Sequence, residues 1–388
     1  MLKILQFTTD NREQQNDYDN PLPHYGAAPE ALLEGLAALP DVEVHVISCV
    51  RREIVTPTRV FGNLTYHPVL VPKIGWMSAL YSGCIRATSK LVREISPDIV
   101  HGQGTERDCA MSAVYSGVPN VLTIHGNMAE LNRLGETFQG AAMYGFLASR
   151  LETHALRRTD GVFCNSAYTQ SLVAPRARKT WRVPNAIRAA FFSDSKEATS
   201  TDIPQIINVG VISPRKRQLE LLHAAAKMRV SGAEFRIVFA GSVPGGPYGE
   251  AFSEELKRAE QQGYAIYAGF LDVNELIQLM DQSHAMIHFP TEEAFGLVVA
   301  EGMARGLKFF GANVGGIVDI ASGIDGAELH HDFESLQDGI IRWLSAGAPD
   351  PHKAADEMAQ LYHPTVVAKK HVEIYREVLA RATSNAGQ

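Results

Sequence analysis

Short apolar runs alternate with amphipathic stretches along most of this chain. KILQFT (3–8) and VEVHVISCV (42–50) have the length and β-branched content of buried strands, and PEALLEGLAAL (29–39) between them carries the apolar spacing of a helix. DIVHGQ (98–103), NVLTIHG (120–126) and GVFCNS (161–166) repeat one formula, a buried strand that ends in small or polar residues, with helical segments at 83–95 and 140–157 between them. Strand, helix and strand with short connections imply parallel strands joined by right-handed crossovers, hence a doubly wound sheet. Ligands bind such sheets beyond the carboxyl ends of the strands, where His101, His125, Asn165 and Ser166 fall.

The rhythm breaks at RVPNAIRAAFFSDSKEATSTDIPQ (182–205), a polar, proline-containing stretch without periodicity that reads as a linker. It then restarts with QIINVGVI (205–212), FRIVFAGS (235–242), YAIYAGF (264–270), AMIHFP (285–290) and KFFGAN (308–313), with helical segments at 218–229, 249–262, 273–282 and from about 297. The expected organisation is two doubly wound α/β domains, 1–187 and 188–363, followed by an amphipathic helix from Pro364. One connection is out of scale: TDNREQQNDYDNPLPHYGAA (9–28) joins the first strand to the first helix where two to six residues are usual, so it is a candidate lid or binding loop.

A chain of 388 residues is long enough for two cores, and 45% hydrophobic with 20% charged residues is the balance of a globular protein. A net charge of −7 argues against nucleic acid as a partner, since neutralising phosphates needs a basic face. Locally, Arg150, Arg157, Arg158, Arg176, Arg178, Lys179, Arg182 and Arg188 meet only Glu152 and Asp160, which makes 150–188 either a solvated face or a patch for peripheral contact with a membrane surface. Cys49, Cys84, Cys109 and Cys164 show no paired or zinc-ligand spacing and read as four reduced thiols. The amino terminus turns polar too soon for a signal peptide, and no run approaches the length of a membrane span. Both features point to the cytoplasm or the inner membrane surface.

The chemistry concentrates in HFPTEEAFGLVVAEGMARG (288–306). Phe295, Gly296 and Leu297 stand where a helix begins, so their backbone offers unpaired N–H groups and about half a positive charge, and a glycine lets a phosphate come close. Glu301 lies about one turn inside and Glu293 just before, two acceptors on either side of an anion cradle, as a sugar nucleotide would need. The same pair would also suit a plain helix-dipole charge and a solvated helix residue. NVGVISPRKRQ (208–218) adds a basic triplet, Arg215, Lys216 and Arg217, between a strand and a helix, where a Rossmann-like lobe holds phosphate. AGSVPGGPYG (240–249) lacks the residues of a P-loop or dinucleotide fingerprint, His284 and His288 sit at i, i+4 in what reads as a strand, and no G-x-S-x-G occurs.

Taken together, G-V-I-S-P-R-K after a strand, VFAGS, IYAGFL, FPTEEAFGLVVAEGMARG and GANVGGIVD resemble the retaining glycosyltransferases of the GT-B fold, glycosyltransferase family four. Their hallmark is two glutamates eight positions apart with F-G-L between. HYGAAPEALLEGLAAL, DIVHGQG, VLTIHG and RVPNAI match the family's amino-terminal half, so the resemblance covers nearly the whole chain. It implies two Rossmann-like domains with a central cleft, the helix 364–388 packing back on the first, and transfer of a hexose from a UDP- or GDP-sugar to a saccharide or lipid-linked saccharide acceptor without cofactor or metal. It further implies that Glu301 holds ribose, Glu293 a sugar hydroxyl, Phe295, Gly296 and Leu297 the sugar and diphosphate, and Lys216 with Gly26 the diphosphate. Phe270 and Leu271 would read the base, and His125 would stand beside the anomeric carbon. Where relatives usually carry arginine this chain has Val211, leaving Arg215 or Arg217 to supply a second cation. Two other readings fit doubly wound lobes, a nucleotide-sugar epimerase or hydrolase and a non-enzymatic two-lobed binding protein.

Overall fold

The computed structural model describes residues 1–15, 17–133, 142–193, 203–351 and 353–386. The chain divides into two compact units, Met1–Arg188 with Tyr362–Gln388, and Ala189–Leu361. The middle of the expected linker, 194–202, the start of the expected helix at 140–141 and the last two residues of the expected helix 364–388 lie outside the described residues.

In the first unit, strands β1 (Leu2–Phe7), β2 (Val42–Val50), β3 (Arg59–Phe61), β4 (Leu64–Leu70), β5 (Ile99–Gln103), β6 (Asn120–Ile124), β7 (Gly161–Cys164) and β8 (Thr180–Arg182) form one sheet in the order β3-β4-β2-β1-β5-β6-β7-β8. All pairings are parallel except β3 with β4. The inner strands are covered on both faces, which is why they read as continuous apolar runs. The chain steps outward from β1 to one edge and then restarts at β5 on the other side, so the sheet's switch point lies between the ends of β1 and β5.

The second unit repeats this plan with β9 (Gln205–Val209), β10 (Arg236–Ala240), β11 (Ala265–Gly269), β12 (Ala285–His288), β13 (Lys308–Ala312) and β14 (Ala327–His330), all parallel, in the order β11-β10-β9-β12-β13-β14. Its switch point lies between β9 and β12.

The helix Pro364–Ala386 buries Val367, Ala368, Val372, Tyr375 and Val378 on one face, in the same core cluster as Ile4, Leu36, Val44 and Ile99. At about 1.5–3 kcal/mol for each large apolar side chain removed from water, this is a structural element of that unit rather than a tail. Gly35 permits the contact, because a Cβ there would stand 2.1 Å from the Pro364 carbonyl oxygen.

One expectation needs correction. Residues 182–187 do not belong to a linker: Arg182 ends β8, and Val183, Ala186 and Ile187 are buried in the first unit. The 9–28 connection, the candidate lid or binding loop, is tied down at its start. It folds a short helix at Arg12–Gln15 and buries a charge-assisted pair, Arg12 Nη2 to Asp10 Oδ2 at 2.6 Å, with the Tyr66 hydroxyl donating to the same oxygen at 2.7 Å. A buried ion pair survives only when its remaining polar atoms are satisfied, and here a side chain from β4 does that. In the basic stretch 150–188, Arg176 pairs with the buried Glu152 at 2.7 Å and Arg188 with Glu30 at 2.8 Å, while Arg150, Arg157, Arg158, Arg178 and Arg182 are exposed, Arg158 lying over the Tyr115 ring.

Candidate functional site

At the second unit's switch point two loops meet. The loop after β9 is held by its own polar contacts: Gln218 accepts from Ser213 N–H at 3.1 Å and donates to the Val211 carbonyl at 3.2 Å. The loop after β12 is tied to it by Thr291 N–H donating to the Arg215 carbonyl at 2.8 Å, while Asn208 on β9 donates to Ile287 on β12 at 2.8 Å. These bonds bring the basic triplet onto the glutamate motif.

Lys216 is ion-paired to Glu293, and His288 Nε2 stands 3.1 Å from the same carboxylate oxygen. Arg215 Nη1 donates to the Glu292 carbonyl at 2.8 Å and lies 4.0 Å from Glu293. Burial works to raise the Glu293 carboxyl, but the hydrogen bond from His288 and the charge of Lys216 outweigh it and hold the group well below the usual carboxylate range. Burial, with the charge of Lys216, pushes His288 down to about 4. Near neutral pH a neutral imidazole therefore stands beside a carboxylate, with Lys216 on the same carboxylate oxygen. Arg217 is engaged elsewhere, its guanidinium over Phe333 with 4.5 Å to the ring centroid, and its φ of +58° is unusual for a residue with a side chain.

The helix Leu297–Ala304 begins beside this cluster. Gly296 is its cap residue, at φ +98°, a conformation that favours glycine, and as a glycine it offers no side-chain cap. Phe295 is buried, and Glu301 stands one turn in, 6% exposed. The segment 293–296 rests on a second glycine pair: Gly316 N–H donates to the Glu293 carbonyl at 2.8 Å, and a Cβ on Gly315 would lie 2.1 Å from that oxygen. Sequence reasoning marked neither Gly315 and Gly316 nor His288 as site residues. The signal for His288 was its position as the last residue of the strand that precedes the motif. Val211 is exposed just after β9, and Phe270, after β11, is 77% exposed with Leu271 half-buried next to it.

In the first unit Gly26, His125, Asn165 and Ser166 fall at the carboxyl edge of the sheet, whereas His101, expected there too, is the middle residue of β5 and fully buried. Gly26 caps the helix Ala27–Ala37 at φ −64°, and a Cβ there would meet only Pro29, at 3.7 Å, so no neighbour demands a glycine. His125, just past β6, has its Nε2 2.9 Å from Gln103 Oε1, and burial, with His371 nearby, lowers it to about 4. All four cysteines are buried and free. Cys49 and Cys84 nevertheless converge with Asp108, their ligand atoms within 4.8 Å of one another, a grouping that sequence spacing does not reveal. Among the described residues no helix is long and apolar enough to cross a membrane.

Comparison with known proteins agrees with this architecture. A family model described as Glycosyltransferase Family 4 matches residues 30–191, and one described as Glycosyl transferases group 1 matches residues 191–360. The chain is similar to sulfoquinovosyl transferase SQD2 of Arabidopsis thaliana, 35% identical over 117 residues, a match that covers 30% of this chain and only 21% of that protein. Among solved structures, sucrose-phosphate synthase from Thermosynechococcus elongatus aligns with a TM-score of 0.76 at 16% identity, over 98% of this chain and all of that one. Anabaena Alr3699/HepE in complex with UDP-glucose aligns at 0.70 and 16%, over 97% of this chain and all of that one. The catalytic domain of starch synthase IV from Arabidopsis thaliana, bound to ADP and acarbose, aligns at 0.68 and 12%, over 98% of this chain and 99% of that one.

Proposed function

Because the chain belongs to the group 1, family-four glycosyltransferases of the GT-B fold, whose chemistry is glycosyl transfer from a nucleotide sugar, we propose that it moves a hexose from a UDP- or GDP-sugar to a hydroxyl of a saccharide or lipid-linked saccharide, with retention of configuration. The observation that carries this reading is the Lys216–Glu293–His288 cluster beside the helix amino end at Gly296. The nucleotide complexes of the HepE and starch synthase IV relatives support a diphosphate nucleotide as the ligand.

In this reading the diphosphate lies against the backbone of Phe295, Gly296 and Leu297 and competes with Glu293 for the Lys216 ammonium. The freed carboxylate of Glu293 then accepts a hydroxyl of the donor sugar, held in place by His288. Glu301, inside the helix, receives the ribose hydroxyls, and the main chain at Phe270 and Leu271 meets the base. Gly26 contributes backbone to the diphosphate and His125 a ring nitrogen to the sugar. As the bond from C1 to the diphosphate oxygen breaks, negative charge grows on the leaving group, where the helix end and Lys216, with Arg215 as a second cation, stabilise it. A metal has no required role in that balance. The acceptor oxygen bonds to C1 from the same face, and its proton passes to the departing phosphate. Only acceptors within reach of the enzyme's surroundings are then competent, which fits work in the cytoplasm or peripheral contact with the inner membrane surface.

Incubating the protein with a panel of sugar nucleotides, with and without saccharide acceptors, separates this reading from donor epimerisation, which needs no acceptor. Glu293→Ala should lower transfer by two or more orders of magnitude, the scale of a lost transition-state partner, while nucleoside diphosphate still binds. Undiminished turnover in that variant would refute the assignment.

A further inference from the structure

Three side chains that the proposed reaction does not use converge inside the first unit. Cys49 stands next to last in β2, Cys84 in the first turn of the helix Ser82–Ile95, and Asp108 immediately before the helix Cys109–Val114. Their two Sγ atoms and one carboxylate oxygen all lie within 4.8 Å of one another. Cys84 is fully buried, Cys49 is 7% exposed and Asp108 4%. Cys109 Sγ, next in the chain, lies 3.8 Å from Thr9 Oγ1 just past β1, so the group adjoins the switch point of this sheet.

As a hydrogen-bonded cluster the three are poorly matched. An aspartate in a cap position ordinarily accepts from free N–H groups of its helix, but the Asp108 side chain makes no such bond. Among the described residues no lysine or arginine makes an ion pair with it; Arg51 and Arg107 both lie over the Trp76 ring, 4.7 and 5.1 Å from its centroid, and act on the carboxylate from farther off. What remains is its own backbone N–H and the Cys49 thiol, a weak donor. Leaving a buried carboxylate so thinly satisfied is costly.

A divalent cation answers the same geometry. Thiolate sulfur selects zinc over magnesium or calcium, and tetrahedral zinc, with sulfur at about 2.3 Å and oxygen at about 2.0 Å, sets its ligand atoms about 3.5–3.8 Å apart. Bounded at 4.8 Å, no pair here has to close by more than about 1.3 Å. The Gly75 carbonyl oxygen, 3.9 Å from Cys84 Sγ, can take the fourth position or hold a water in it. Its loop is pinned against the helix of Cys84, because a Cβ on Gly83 would stand 2.3 Å from Gly75 Cα. On binding, both thiols release their protons to solvent. Two thiolates, one carboxylate and the metal then carry a single net negative charge, near Arg51 and Arg107.

We propose that Cys49, Cys84 and Asp108 are three ligands of a structural zinc ion that clasps the end of β2, the helix Ser82–Ile95 and the segment entering the helix Cys109–Val114. This site is independent of the donor chemistry proposed for the second unit. The test uses the full chain, tag-free, produced in zinc-supplemented medium so that metal is present while the buried site forms, and purified without chelator under a non-thiol reductant. Elemental analysis should give about one zinc per chain in wild type and in Cys164→Ser, and almost none in Cys49→Ser or Cys84→Ser. Stripping the metal with a chelator should lower the melting temperature of wild type and leave that of Cys84→Ser where it was. X-ray absorption at the zinc edge should show two sulfurs at about 2.3 Å and oxygen at about 2.0 Å. Folded, reduced wild type that carries no more zinc than folded Cys84→Ser overturns the proposal. Should the serine variants fail to fold, the wild-type absorption spectrum decides alone: two sulfurs uphold the site, and fewer, or no zinc at all, overturn it.

Discussion

Substituting Gly316 by alanine tests how the donor cradle is supported without replacing any residue proposed to contact the donor. Gly316 sits behind the 293–296 segment, and its added Cβ would stand 2.4 Å from the Ala294 carbonyl oxygen and 2.6 Å from Phe295 Cα. Both neighbours are backbone, so no side chain can swing aside. Real Cβ atoms keep at least 3.0 Å, which means that the two segments must part by about 0.6 Å, and by about 1 Å for an ordinary contact. The Gly316 N–H bond to the Glu293 carbonyl, now 2.8 Å, lengthens with them. Overpacking of this size costs about 1–3 kcal/mol of stability, and a 1 Å displacement of a positioning segment costs about a hundredfold in rate. Unlike Gly315, at φ +51°, Gly316 carries no left-handed backbone strain, so the effect is steric. The assay is paired: a urea melt for stability, and transfer from a sugar nucleotide at saturating donor. A variant that melts within about 0.5 kcal/mol of wild type and turns over normally would show that the segment does not depend on this contact, and the account of how the cradle is held would be wrong.

Acid should weaken the fold through its buried histidines. Burial lowers His371 to about 4, and burial together with Lys216 does the same to His288; unfolded histidine titrates near 6.5. The unfolded chain therefore binds more protons between these values, so the stability contribution is complete above about pH 6.5 and is lost progressively as pH falls toward 4. Urea melts should show a loss of about 2 kcal/mol for each such histidine at pH 5, and a His371→Gln variant should flatten the slope; equal stability at pH 7.5 and 5 would contradict this. Glu152→Gln should cost about 3–5 kcal/mol, because the carboxylate is 1% exposed and accepts from Thr105, Met128 N–H and Arg176 at 2.7–2.8 Å. Arg258→Ala, which removes an exposed pairing with Glu254 and Glu255, should change the same melt by less than about 1 kcal/mol. Glu301→Gln should weaken nucleotide binding about tenfold or more, read by calorimetry; unaltered affinity would remove Glu301 from the ribose site.

The doubly wound plan was legible because strands buried on both faces announce themselves as apolar runs, and β1, β2, β5, β6 and β7 all did. β3 and β4 did not. β4 alternates, with Leu64 and Tyr66 inward, and contains Pro68, which is tolerated because β3 no longer pairs there and that side of the strand is free. The helix Cys109–Val114 is short and buried all round, so it offered no amphipathic period. In the candidate site, Glu293, Gly296 and Glu301 were visible because helix geometry relates them locally. His288 and Gly316 were not, since their roles arise when the loops after β9, β12 and β13 are brought side by side. The partnership of His101 with Tyr375, and of Cys49 with Cys84 and Asp108, depends on pairing distant segments, which no local periodicity encodes.

That the first unit is completed by Pro364–Ala386 has a consequence for how the protein is made. The second unit is a continuous stretch, whole once Leu361 has left the ribosome, whereas the first waits for Pro364–Ala386 to complete the core that holds Leu36 and Tyr66. During synthesis the half emitted earliest is thus the last to mature, and its uncovered apolar stripe is a natural client for chaperones. A nonsense codon just upstream of Pro364 would leave a finished second unit tethered to an unfinished first one.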